Sequence, residues 1–181
     1  MHVWKHFATI TAHRWRVMQG CFRVGLYWQG LTHDLSKYSP TEFWRGARYY
    51  QGNRSPNAAE REAKGYSAAW MHHKGRNRHH FEYWTDVDPK TNRTGPVPMP
   101  RRFLAEMVMD RRAACMTYQG RAYHPGAELE YLKKSTESQL MYPQTRRQLE
   151  YILTMLREQG EDTTFRYIRQ SVLKNKPFPW D

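Results

Sequence analysis

Two cysteines in 181 residues, Cys21 and Cys115, cannot form a disulfide framework, and their spacing fits no thiolate metal site. A reducing compartment is therefore expected. No apolar run approaches the roughly 18 residues of a membrane span, and the first 20 residues hold no signal-peptide core, so no membrane partner and a cytoplasmic location are expected. Acidic residues are scarce beside basic ones, 17 against 29, which leaves a formal charge of +12. Such a surface attracts anions: phosphates, nucleic acid or acidic lipid. Alternating β patterns are rare, internal repeats are absent, and the aromatic content of 14% excludes a disordered tail.

Apolar residues recur at helical spacing, which predicts an all-α single domain over residues 1–181 with about seven helices. The first covers residues 2–19, with Val3, Phe7, Ile10, Arg14 and Val17 along one face and Gly20 weakening its continuation; a second runs from Cys21 to Tyr27, and a short helical stretch starts at Leu31. Ser39, Pro40 and Glu42 read as N-cap, N1 and N3 of a capping box that opens a helix over 40–51. Ser55-Pro56 opens another over 57–73, bent near Gly65. Residues 85–100, dense in Pro, Gly, Asp and Asn, read as a long exposed loop without regular structure. Helices follow from Arg101 to Gly120, over 128–134, and over 143–159 and 163–174, the last two antiparallel across Gly160. Trp15, Trp28, Trp44, Tyr49, Tyr50 and Trp70 sit at helical spacing and read as core, whereas Tyr83-Trp84 flanks the residues that follow.

His72, His73, His79 and His80 fall within nine residues, a density that points to metal binding or to a basic turn with Lys74, Arg76 and Arg78. Elsewhere stand His13, the doublet His33-Asp34 and Asp110. Imidazole nitrogen with carboxylate oxygen suits Mn, Fe, Co, Ni or Zn, and ligands from separate helices can converge in a bundle core. Lys37 shares a helical face with the doublet, and Glu106 stands one turn before Asp110, placed to orient a histidine or accept a proton. Glu42 already has a structural duty in its capping box. His6 lies two turns before His13 and competes with it; His2 and His124 read as incidental.

His13, His33-Asp34 and Asp110 resemble the H…HD…D pattern of the HD-domain metal-dependent phosphohydrolases, an all-α superfamily, and HDLSK is similar to its HD-x-x-K variant, in which the lysine faces the substrate phosphate. HDLSKYSP and HHKGRNRHH resemble a family of phage and bacterial proteins described as a domain of unknown function, which would place the chain in a host cytoplasm if phage-encoded. The resemblance implies an HD-type helical bundle with His13, His33, Asp34 and Asp110 as metal ligands. Extra histidines between the doublet and the last Asp resemble two-metal members, with one residue each from His72/His73 and His79/His80, although the pairs lie closer than those relatives place them. One or two divalent transition metal ions are thus implied, with Asp34, Lys37 and Glu106 in catalysis, and Lys37, Arg76, Arg78 and Arg111 on an anionic substrate. The implied activity is attack of metal-bound hydroxide on a phosphoester or phosphoanhydride, a nucleotide or oligonucleotide being the favoured substrate. Two alternatives stand beside it: an HD-fold di-iron oxygenase, and a basic nucleic-acid-binding module without catalysis.

Overall fold

The computed structural model describes residues 1–136 and 140–181. These form eight α-helices and one small hairpin. Helix α1 spans Val3–Val24, α2 Tyr27–Thr32, α3 Pro40–Tyr49, α4 Pro56–Lys64, α5 Ala68–Lys74, α6 Arg101–Gln119, α7 Ala127–Lys134 and α8 Pro143–Tyr167. A 3-10 turn over Leu35–Tyr38 joins α2 to α3. The all-α expectation holds.

Helix α1 runs straight through Gly20, where a break was expected, and stops at Gly25 in a left-handed cap with φ 90°. Gly20 serves packing instead: a Cβ there would lie 2.8 Å from Met109 Sδ, so the missing side chain lets α1 and α6 close together. The buried face of α1 is His6, Ile10, His13, Val17, Gly20, Cys21 and Val24. Phe7 lies outside that face and is exposed. The core joins this face to α6, α7 and α8 through residues such as Val17, Leu104, Met109, Leu129, Leu149 and Ile152.

The stretch over 57–73 is two helices, α4 and α5. Gly65 (φ 79°) terminates α4, and Ser67 caps α5 by accepting from Trp70 N. Buried Glu60 reinforces that start, accepting from Ser67 Oγ at 2.7 Å and Ala69 N at 3.2 Å. The segment 85–100 is also more ordered than its composition suggests: β1 (Thr85–Val87) pairs antiparallel with β2 (Thr94–Pro96), because Asp88 Oδ1 accepts from Lys90 N and closes the tip. At Gly160 (φ 75°) the chain turns back, as expected: Tyr151 and Tyr167 would be ~24 Å apart along a straight helix, yet their rings are 5.8 Å apart. Among the described residues no helix is long and apolar enough to cross a membrane.

Candidate metal centre

Four stretches of chain deliver the cluster. Helix α1 contributes His13, the α2 terminus His33 and Asp34, α5 and the turn after it His73, His79 and His80, and α6 Asp110. Asp34 adopts the left-handed conformation (φ 53°, ψ 26°) between α2 and the 3-10 turn. Asp and Asn visit that region more readily than other non-glycine residues. Arg14 holds the doublet from outside by donating to the His33 carbonyl at 2.7 Å and the Leu31 carbonyl at 3.1 Å.

Asp34 is buried and sits between two groups of ligand-type atoms, each drawn together closely enough to share one ion. In the first, His13 Nε2 lies 3.0 Å from Asp110 Oδ1 and 3.7 Å from Asp34 Oδ2, while His33 Nε2 lies 3.3 Å from Asp34 Oδ2. The second gathers His73, His79 and His80 around the other oxygen: His73 Nε2 and His79 Nε2 lie 3.3 and 3.4 Å from Asp34 Oδ1. Nε2 of His13, His33, His79 and His80 and both oxygens of Asp34 are buried without a hydrogen bond of acceptable geometry among the described residues. Four such nitrogens around one buried carboxylate would be costly in an ordinary core, and together they supply the nitrogen and oxygen donors a divalent transition metal takes. The residues fit the group.

The imidazoles are aimed from behind. Glu106 Oε1 accepts Nδ1–H from His33 at 2.9 Å and from His79 at 3.1 Å, and Gln29 donates to its other oxygen at 2.8 Å. Glu42 does the same for His73 Nδ1 at 2.8 Å. Engaging Nδ1 turns Nε2 toward Asp34, where it would offer its lone pair to a bound cation. Burial opposes ionisation of Glu106, but its two histidine partners hold its carboxyl down to about 2. Burial likewise opposes the charge on Asp34, and His33 and Lys37 beside it nevertheless keep that carboxyl well below the usual carboxylate range. His80 is pushed the other way: burial, then the neighbouring His79 and His73, lower its pKa well below that of an ordinary histidine.

A cavity of about 530 Å³ opens beside the cluster, within the range of small-molecule sites. His13, His73, His80 and Asp110 form its floor on one side, and Lys37, Tyr50, Tyr118 and Arg111 line the rest. Lys37 Nζ stands 2.6 Å from Asp34 Oδ2. Burial disfavours its charge, yet Asp34 and Asp110 raise its pKa, so the ammonium persists at the cavity edge. Arg111 Nε is buried without a hydrogen bond among the described residues.

Several expected residues fall elsewhere. His72 stays out of both groups and pairs with Glu42 at 2.7 Å. His79 and His80 are both in the cluster, where one of the pair was expected. Arg76 is exposed and reaches only the His72 carbonyl, while Arg78 lies over the rings of Tyr83 and Phe103; neither lines the cavity. Tyr83 and Trp84 pack together away from it. His6 packs on Phe43 and Tyr50 outside the cluster, so that of the two it is His13 that joins the grouped side chains. Glu42 does not close a capping box: its backbone N–H donates to Ser39 Oγ, but its carboxylate goes to the histidines. Gln29 and Glu42 were missed because a supporting contact across 77 or 30 residues leaves no local pattern.

An all-α protein with a buried histidine–carboxylate centre beside a cavity is therefore the class that fold and site define. Residues 2–155 match a family described as "Family of unknown function (DUF5662)", and the chain belongs to it. No curated protein and no solved structure is significantly similar to the chain.

Proposed function

We propose that the chain is an HD-type dinuclear metal-dependent phosphohydrolase acting on a small phosphoester or phosphoanhydride. The carrying observation is the placement of Asp34, whose two carboxylate oxygens face two separate sets of inward-pointing imidazoles. His13, His33, Asp34 and Asp110 would hold one ion, and Asp34, His73, His79 and His80 the other. A divalent cation held there acidifies bound water and polarises a phosphoryl oxygen. The chain's own residues do the rest. Glu106 and Glu42 keep the ring nitrogens on target rather than exchanging protons, since both are already engaged in hydrogen bonds. Lys37, with Arg111 across the cavity, supplies positive charge for a substrate phosphate.

The cavity size favours a nucleotide-sized molecule over a long strand. Elemental analysis of the purified protein, paired with a phosphoester screen in Mn²⁺, Co²⁺ or Ni²⁺, should give two metal equivalents and turnover that is lost in His33→Ala. Equal turnover in that variant would reject the proposal. The five-imidazole set also suits iron, so the second reading is a di-iron oxygenase; iron-dependent colour with O₂ consumption and no phosphate release would favour it.

A further inference from the structure

Helix α1 has a second apolar face. Away from the buried side, Trp4, Phe7, Thr11, Trp15, Met18 and Phe22 recur at spacings of three and four and make one uncharged stripe along about five turns. Trp4 is 82% exposed, Trp15 58%, and on the neighbouring elements Trp28 76% and Trp44 52%. Of these, Trp15, Trp28 and Trp44 were expected in the core. Ring contacts extend the stripe sideways: Phe7 meets Tyr38 at 5.9 Å and Phe43 at 6.5 Å, Phe43 meets Trp44 at 5.4 Å, and Phe22 meets Tyr27 at 5.3 Å.

At 150–250 Å² per aromatic side chain, the exposed fractions leave on the order of 800 Å² of aromatic surface open. The largest apolar patch on a typical monomer is roughly 300–600 Å². What this surface does match is one partner's share of a standard protein interface, about 800 Å².

We infer that this aromatic face is the interface of a homodimer, α1 packing against α1 of a second copy. Three features choose a copy of the chain over a nucleic-acid strand or an anionic membrane. The stripe carries no charge, whereas strand-binding surfaces interleave aromatics with cations that track the phosphates. Four arginines of α1 and α3 are already engaged, Arg14 with the carbonyls of Leu31 and His33, Arg16 with Thr117, Arg23 with Glu161 and Asp162, and Arg45 with Glu60, which leaves Arg48, one turn after Trp44, as the exposed arginine at that edge. A long helix with residues at spacings of three and four also presents the ridges that pack into a facing helix. Because a two-fold interface brings the same residue from both copies, one substitution changes it twice.

Sedimentation velocity of the full chain across micromolar concentrations tests this. The expected species is twice the 21.8 kDa chain mass. Trp15→Glu is expected to weaken association at least ~30-fold, as for a central aromatic anchor, with helical circular dichroism unchanged. Should that variant lose helicity, wild-type dilution remains decisive: tryptophan emission should shift to the red as the dimer dissociates. A wild-type monomer throughout the range would overturn the inference. So would a dimer that Trp15→Glu and Phe7→Glu leave intact, or a monomer that binds phosphatidylserine vesicles or oligothymidine through these same residues.

Discussion

The two groups that meet at Asp34 are built differently. On one side His13 and Asp110 come from the long helices α1 and α6, His33 follows the short α2, and a second carboxylate balances the imidazoles. On the other, His73, His79 and His80 come from a seven-residue helix and the turn after it, and Asp34 is the group's one carboxylate. The first arrangement rests mainly on long helices and is charge-compensated; the second rests on a short helix and a turn, with more outside props. Asn77 is such a prop, donating to the His73 carbonyl at 2.8 Å and to Ser36 Oγ at 2.9 Å, and Glu60 is another through the start of α5. The difference implies that, in the proposed centre, the Asp110 side binds its ion more tightly and the three-histidine side exchanges more readily.

Substitutions can break or sharpen that contrast. Asp34→Asn should have the largest effect, because it keeps a residue tolerant of the left-handed backbone while removing the charge both groups share; metal analysis should fall from two equivalents to almost none, and retention of one would show that the carboxylate is not shared. Next, Asp110→Asn and His80→Ala should each remove a single equivalent, measured by titration with Mn²⁺. If Asp110→Asn left the tighter site untouched, the ranking of the two sides would be wrong. Glu106→Gln touches one histidine in each group and should weaken both sites about 10–100-fold, the usual cost of losing a supporting carboxylate. Gln29→Ala, one step further back, should cost less in the same titration. His72→Ala should be nearly silent, within about 0.5 kcal/mol in denaturant unfolding, since its ring lies at the edge and joins neither group.

The contrast also separates what could be read from the sequence. The Asp110 side was legible: His33-Asp34 and Asp110 are set off by resemblance to a known pattern, and α6 shows a clean helical period. The other side was legible only as an excess of histidine. Which of the four enters depends on where α5 ends and how Asn77 folds the following turn, and that is decided by contacts with Ser36 and Glu42. Ser39 announced its helix correctly, but the carboxylate three residues on serves the histidines, a competition that the sequence motif does not show. Gly20 and Gly65 look alike in sequence and act oppositely, one closing two helices together and the other ending a helix with φ 79°. The aromatic spacing was read as core, because a periodic stripe does not say which of two apolar faces of one helix is buried.

The contact at Gly20 reaches further than packing. It lies two turns from His13, and the residue it admits, Met109, directly precedes Asp110, so a glycine and a thioether together set how widely the first pair of candidate ligands can bite. A methyl group added there would have to push the Met109 side chain aside, one residue from Asp110. Discrimination between a small cation and a larger one would then be governed by residues that never touch either.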